Sequence, residues 1–430
     1  MTRVTMIVHN ALEFDPRVER EAAALARAGY EVTVIGTWEP DRTERVEQRN
    51  GFTIRRVSRR KPGIDLVSRA YPPLVERAQR FGRRVRVKPL RAIERRIRRP
   101  IAKALIWFIR AVVRAIRRVL RVLPQKTQRW AIEARMMFAA VRTKPHVVHA
   151  HDLNVLAPGA RAARLSFAKL VYDSHEISPG LPAIRDPERV IRFERKLITK
   201  ADRVIHTTPM RAQWAADTYG IPVPTVVRNI PDVARDVRPV DLAAATGFPP
   251  GTKVILHQGN MQRDRGLEEL IQAMAKLDDS YGLLLLGGGK MRGALEELVA
   301  ERGLGARVKF HSSVPHAELL SWTAGAFCGV SLLRDTCLNH KYSLPNKLFE
   351  SIAVGCPMVA SNNPEIAAFV AEHGIGEVCD PDDPADIAAA IERLAARRDA
   401  AAASARAAGE RFRWEHEETT LLDLYRGLVG

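Results

Sequence analysis

The chain has 430 residues, 46% of them hydrophobic, and a formal net charge of +19. That length is too great for one compact core and suits two domains of about 200 residues each. Arg83 to Arg129 holds 17 Lys/Arg against one acid, Glu94, so +16 of the +19 falls in 47 residues and the other 383 carry only +3. A uniformly basic, nucleic-acid-coating protein is therefore excluded: the body is near neutral and one segment is intensely basic. The four cysteines, Cys328, Cys337, Cys356 and Cys379, form no CxxC pair. They exclude a disulfide framework and fit a reducing cytoplasm.

In chain order, Val4 to Val8 is an apolar run with no signal-peptide pattern, so cleavage of a leader is not expected. A helical stretch from Glu19 to Ala28 stops at Gly29, and Val32 to Ile35 forms a second β-branched run. Strand–helix–strand is the unit of a parallel sheet. Further strands are expected at 147–149, 169–172 and 203–205. A polar, Pro-rich passage from Asn229 to Gly251 reads as an interdomain linker. A second series follows, with strands at 254–256, 283–286, 307–310, 329–332 and 358–360. Helices are expected at 267–277, 294–302, 316–323, 347–354 and 384–396, with a separate amphipathic helix at 414–428. The expectation is an α/β protein of two doubly wound, Rossmann-like domains. Residues 1–235 form the first, with a basic helical insertion at about 60–125. Residues 236–410 form the second, and 411–430 a C-terminal helix crossing back to the first.

In open parallel sheets, ligands bind outside the carboxyl ends of the strands. The C-terminal half offers three such loops. Gly287-Gly288-Gly289 follows a leucine-rich strand, and reads either as an anion cradle before a helix or as a tight turn. In Ser343-Leu344-Pro345-Asn346-Lys347, Pro345 and Asn346 set a helix start, Asn346 as cap. Backbone donors there would face a diphosphate, Lys347 would add charge, and Glu350 one turn on could accept from both hydroxyls of a ribose. Gly259 to Gly266 supplies Arg263 and Arg265 to neutralise phosphate. In the N-terminal half, His149 and His151 end one strand, and Asp173-Ser174-His175 ends the next. They could line a polar cleft with a group titrating near neutrality. Metal ligation is not expected, since the spacing matches no zinc pattern.

Three stretches carry a resemblance: Asp15 through Ile35, Ala201 through Pro209, and Ser343 through Glu350 continuing over Gly355 to Ser361. Together they resemble retaining glycosyltransferases of the GT-B fold, in the family-4 (glycosyl transferases group 1) class. The resemblance covers nearly all of the chain outside 60–125. It implies a nucleotide-sugar donor held by the C-terminal domain and an acceptor held by the N-terminal one. Glu350 matches the ribose-binding second glutamate of a Glu-x7-Glu motif whose first glutamate is here Tyr342. The family's Arg and Lys after the first C-domain strand fall at Asn260 and Arg265, with Arg263 placed to substitute for the former. His151 matches a cleft histidine that contacts the transferring sugar. Asn10 to Asp15 replaces the family's N-terminal glycine pair. The resemblance thus implies His151, Arg265 and Lys347 as catalytic residues. The donor set is Glu350, Ser343, Leu344, Pro345, Asn346, Arg263, Gly288, Gly259 and, in a base-facing loop at 312–315, Val314. The acceptor side is Asn10, Asp15, Arg17 and His175. No cofactor and no divalent metal are expected beyond the donor co-substrate. A GT-B nucleotide-sugar epimerase and a non-catalytic sugar-nucleotide-binding partner subunit are the other readings.

Within the basic segment, 101–123 reads IAKALIWFIRAVVRAIRRVLRVL. On a helix its cations share an arc of about 100° and the rest is apolar. Charges recur too often for a membrane span. An in-plane helix on anionic lipid is expected, which places the enzyme on the inner face of the cell membrane with a lipid-linked or membrane-proximal acceptor. Packing against its own domain or a subunit is the alternative. Nucleic acid is not an expected partner, and nothing in the sequence sets an oligomeric state.

Overall fold

The computed structural model describes residues 1–13, 15–40, 42–59, 128–231 and 237–429. The basic insertion, including the helix expected at 101–123, lies outside them.

Eight strands form the N-terminal sheet: β1 (Arg3–Ile7), β2 (Glu31–Trp38), β3 (Val46–Arg49), β4 (Phe52–Ser58), β5 (Val147–His151), β6 (Lys169–Ser174), β7 (Arg203–His206) and β8 (Thr225–Val226). Their order is β3-β4-β2-β1-β5-β6-β7-β8, parallel except for the β3–β4 hairpin at one edge. The C-terminal sheet is wholly parallel, in the order β11-β10-β9-β12-β13-β14. Its strands are β9 (Lys253–Gln258), β10 (Tyr281–Leu286), β11 (Val308–His311), β12 (Cys328–Ser331), β13 (Met358–Ser361) and β14 (Gly376–Cys379). Strand β10 is buried at all six positions, as a strand covered by helices on both faces must be. The chain reverses its winding between β1 and β5 in the first sheet and between β9 and β12 in the second. Crevices open at such switch points.

Three details differ from the sequence reading. The first helix is Pro16–Arg27, not one starting at Glu19: Asp15 accepts from Val18 N at 3.3 Å and Pro16 takes the first turn, where its missing N–H costs nothing. The expected linker is cut short, because Val240, Leu242, Ala243 and Phe248 pack against β9 and β10 and so belong to the C-terminal core. The antiparallel β3–β4 edge and the short strands β8 and β14 were not foreseen. Two to seven residues of mixed polarity carry too little periodicity to declare a strand.

The last helix, Trp414–Val429, leaves the C-terminal sheet behind. Trp414, Leu421, Leu424 and Tyr425 join the core formed by β1, β2 and the Pro16–Arg27 helix. The four cysteines are free. Among the described residues no helix is long and apolar enough to cross a membrane.

Candidate active site

The C-terminal end of β9 and the loop after it meet the N-terminus of the helix Asn346–Ala353 around a pocket of about 370 Å³. Glu350, Lys347, Asn346, Pro345, Arg265 and Gly259 line it, together with Gln258, Asn260, Gln262 and Leu319. Pro345, not Asn346, is the N-cap, and among the described residues no side chain caps this helix. Its first backbone N–H groups are therefore available to an anion, with the helix dipole in support. Asn346 instead accepts from Asn229 Nδ2 at 3.2 Å, tying the helix start to the chain leaving the N-terminal domain.

Lys347 reaches back over Gly259 to His257, with Nζ 3.3 Å from Nε2. A side chain at Gly259, whose φ is +107°, would press on the Lys347 stem. Burial, then the Arg265 cation, pulls the Lys347 ammonium down to about 7, against the opposing pull of Glu350. His257, itself driven well below its usual range by burial and by Lys347 and Arg265, is neutral and can accept from Nζ. An arriving diphosphate would supply the missing counter-charge and restore the proton. Nucleotide binding above pH 7 is thus expected to take up close to one proton, and affinity to fall by up to about tenfold per pH unit between 7 and 9. Calorimetry in buffers of different ionisation enthalpy measures the uptake; Lys347→Met should abolish it.

The glycine turn is explained without a ligand at two of its three positions. A side chain at Gly287 would collide with the Gly259 carbonyl, and one at Gly289 with the Met261 carbonyl. The turn is pinned to that loop, since Met261 N donates to Gly288 O at 2.6 Å. Gly288 faces open space. Arg263 is exposed outside the pocket lining, and Val314 is partly buried against the apolar cluster that includes Leu256 and Leu286.

Opposite stands the N-terminal wall. Arg17 is buried and grips Asp173 with two hydrogen bonds, Nε to Oδ2 at 3.0 Å and Nη2 to Oδ1 at 2.9 Å. It also lies 3.0 Å from Glu21 and donates to Val227 O at 2.9 Å. Burial would raise the Asp173 carboxyl, but Arg17 and then His175 outweigh it and hold it well below the usual range. His175 Nε2 lies 2.9 Å from Asp173 Oδ2, and its backbone N donates to Asp152 at 3.1 Å. Burial alone would lower His175; Asp173 and Asp152 reverse that and hold it at about 9. His151 is fully buried behind it, Nδ1 3.2 Å from His175, its ring stacked 4.3 Å from His149. His149 in turn meets the Tyr425 hydroxyl at 2.8 Å. Glu21, His149, His151 and Asp173 bring ligand-type atoms within 4.8 Å of one another. Arg17 supplies a positive charge beside both carboxylates.

A cleft pocket of about 230 Å³ joins the two walls, with Asp15, Arg17, His175 and Arg211 on one side and Ser343, Leu344 and Asn346 on the other. Asn346 borders both pockets, so the two adjoin at the start of its helix. Asn10 stays out of the lining: it donates to Asp15 at 2.7 Å and accepts from Leu12 N at 2.8 Å, shaping the loop. The domains are clasped by buried Arg211, which donates to the Asn339 side chain at 2.7 Å and to His175 O at 2.6 Å. Thr208 also donates to the Tyr342 carbonyl at 2.9 Å. A larger cavity of about 480 Å³ lies beyond Leu344, against Phe369, His373 and Phe412. Of the residues named for the donor, only Leu344 lines it. The residues not foreseen from sequence, Gln258, His257 and Arg211, left one faint signal: the apolar run Val254 to Leu256 of β9 turns polar at its last two positions.

Two α/β domains facing a cleft, with an uncapped helix start on one wall and a charged network on the other, are the architecture of a GT-B glycosyltransferase. Residues 15–230, half of the chain, match the family model described as glycosyl transferase 4-like domain, and 241–411 match glycosyl transferases group 1; the protein belongs to this family of enzymes. It is similar to the D-inositol 3-phosphate glycosyltransferase of Xylanimonas cellulosilytica, 27% identical over 304 residues, which are 65% of this chain and 71% of that protein. The protein of the same name from Nocardiopsis dassonvillei is 27% identical over 407 residues, 87% of this chain and 88% of its own. Among solved structures, sucrose-phosphate synthase from Thermosynechococcus elongatus superposes with a TM-score of 0.67 at 19% identity, covering 100% of this chain and 99% of that one. Anabaena Alr3699/HepE in complex with UDP superposes at 0.70 and 16% identity, with both chains fully covered. At those identities the solved structures speak for the fold alone.

Proposed function

We propose that the protein transfers a sugar from a nucleoside-diphosphate sugar to an acceptor hydroxyl with retention of anomeric configuration. The observation that carries this reading is the donor pocket: a buried carboxylate, Glu350, one turn from an uncapped helix start flanked by Lys347 and Arg265. The structures of Anabaena Alr3699/HepE with UDP and UDP-glucose support a donor of this class. In the reaction the bond from the anomeric carbon to the phosphate oxygen breaks and its electron pair leaves with the nucleoside diphosphate. The acceptor oxygen forms the new bond from the same face and passes its proton to the departing phosphate. Arg265, Lys347 and the helix N–H groups stabilise the developing charge, each such donor contributing about 3 kcal/mol of barrier. His175, cationic and in the cleft, faces the acceptor side, with His151 behind it. No divalent metal is needed in this scheme. Incubation with a nucleotide sugar and candidate acceptors, followed by NMR of the product's anomeric centre, tests the reading. An epimerised donor formed without acceptor would overturn it.

We further read the acceptor as lipid-linked or membrane-proximal and the enzyme as peripheral on the inner face of the cell membrane. The segment 101–123 supports this from sequence. A helix layer of the N-terminal domain adds to it by exposing Trp130 (68%), Phe138 (60%) and Phe167 (99%). Arg129, Arg142, Arg161 and Arg164 are exposed on the same layer. Exposed apolar side chains together with exposed arginines suit an anionic interface. The intact protein is expected to float with phosphatidylglycerol-containing vesicles and be released by high salt. Failure to bind them at low salt would remove the membrane from the proposal.

A further inference from the structure

Strand β9 is apolar and buried from Val254 to Leu256, then ends in His257 and Gln258, the latter only 4% exposed. A buried amide is costly unless both its ends are paired. Here they are. Gln258 Nε2 donates to Glu350 Oε2 at 2.6 Å, and Thr323 Oγ1, from the helix His316–Ala324, donates to Gln258 Oε1 at 2.7 Å. The amide has one workable orientation: an ionised carboxylate only accepts, so the NH₂ must face Glu350 and the carbonyl must take the Thr323 hydroxyl. The alternative target of that hydroxyl, Leu319 O in its own helix, lies farther off at 2.9 Å. Three separate elements thus converge to hold one carboxylate that lines the donor pocket.

We infer that Gln258, backed by Thr323, is a positioning residue that fixes the plane of the Glu350 carboxylate and thereby makes the donor site select ribonucleoside over 2′-deoxyribonucleoside diphosphates. This rests on the reading of Glu350 as the ribose ligand. The terminal torsion of a glutamate is broad, with no sharp staggered wells. Accepting hydrogen bonds from two adjacent hydroxyls demands one setting of that torsion. An oxygen that already accepts from Gln258 keeps a second lone pair for a hydroxyl. With the amide anchor the carboxylate meets a diol pre-set; without it, ordering the group is charged against binding. A 2′-deoxyribose lacks one of the two donors and gains little from the pre-set plane. The anchor therefore acts mainly on ribose.

The experiment compares dissociation constants of the full-length protein for UDP, GDP and ADP with those for their 2′-deoxy counterparts, in wild type, Gln258→Leu and Thr323→Val. A hydrogen bond to a charged group accounts for a preference of about tenfold or more for the ribo form in wild type. Gln258→Leu should reduce that preference to under about threefold, by weakening the ribo form while leaving the deoxy form unchanged. Thr323→Val, nearly the same shape, should move the ratio in the same direction by a smaller factor, and serves if Gln258→Leu does not fold. A ratio unchanged in the folded variants, or equal losses for both sugar types, would overturn the positioning role while the ribose reading stands. A wild type that shows no preference would overturn both.

Discussion

Glu350→Ala is expected to remove nearly all of the thermal stabilisation that a matching nucleoside diphosphate gives the wild type. The carboxylate is buried, anchored by Gln258 at 2.6 Å and one turn from the uncapped helix start. Two hydrogen bonds from ribose hydroxyls to a charged acceptor, each contributing about 1.5–3 kcal/mol, amount to an affinity loss of about a hundredfold or more. At a ligand concentration of about 100 times the wild-type dissociation constant, the wild type gains about 2.7 kcal/mol. The variant, then near its own dissociation constant, gains only about 0.4 kcal/mol. A thermal-shift screen of UDP, GDP, ADP, CMP and dTDP against both proteins reads this directly and identifies the base. Equal shifts in wild type and variant would mean that Glu350 does not touch the nucleotide, and the donor site would have to be sought elsewhere in the cleft.

The second large effect is on stability. Arg17→Met keeps the apolar stem of the side chain but removes the guanidinium from buried Asp173 and Glu21, leaving His175 as the cation still beside Asp173. Removing one partner of such a network costs about 3–5 kcal/mol, because the remaining charge keeps its desolvation penalty. For a domain of this size that corresponds to a drop of roughly 10 °C in melting temperature. The sign of the pH dependence follows from Asp173. In the wild type its carboxyl is held well below 3.8, so its contribution is complete above that value and lost only as pH falls through the depressed one. In Arg17→Met burial would push the same carboxyl up with only its histidine neighbours still opposing, so protonation relieves more of the penalty as the solution is acidified. The gap between the two proteins should be widest near pH 7 and narrow towards pH 4.5, as followed by circular dichroism melts. A pH-independent gap of under about 1 kcal/mol would show that the network is solvated and not the internal brace described here.

Much of the active site was legible because its signals are local. Ser343 to Glu350 packs a helix-starting Pro, a cation and a carboxylate into eight residues, and such spacing is read along the chain without knowing what lies opposite. The same locality misled at Gly287 to Gly289. A glycine cluster after a strand looks alike whether it cradles an anion or presses against a neighbouring loop, and here two of the three glycines are demanded by the 259–261 backbone. Asn346 shows the limit of propensity: a residue that suits the cap position yields it to Pro345 and bonds Asn229 across the domain junction instead.

The sequence by itself determined the two doubly wound domains, the helix start near Pro345 and the position of Glu350 on its first turns, because strand burial, helix period and capping act over one to four residues. What only the tertiary structure decided is who meets whom. Gln258 and Glu350 are separated by 92 residues, Arg17 and Asp173 by 156, and His149 and Tyr425 by 276. Those encounters are set by strand order and by the last helix returning to the first domain, and no periodicity along the chain encodes them. A buried polar group must find a partner, but the requirement does not say where in the chain that partner will be. In this enzyme the sheet topology supplies it, bringing the charge of Arg17 to Asp173 and the amide of Gln258 to Glu350.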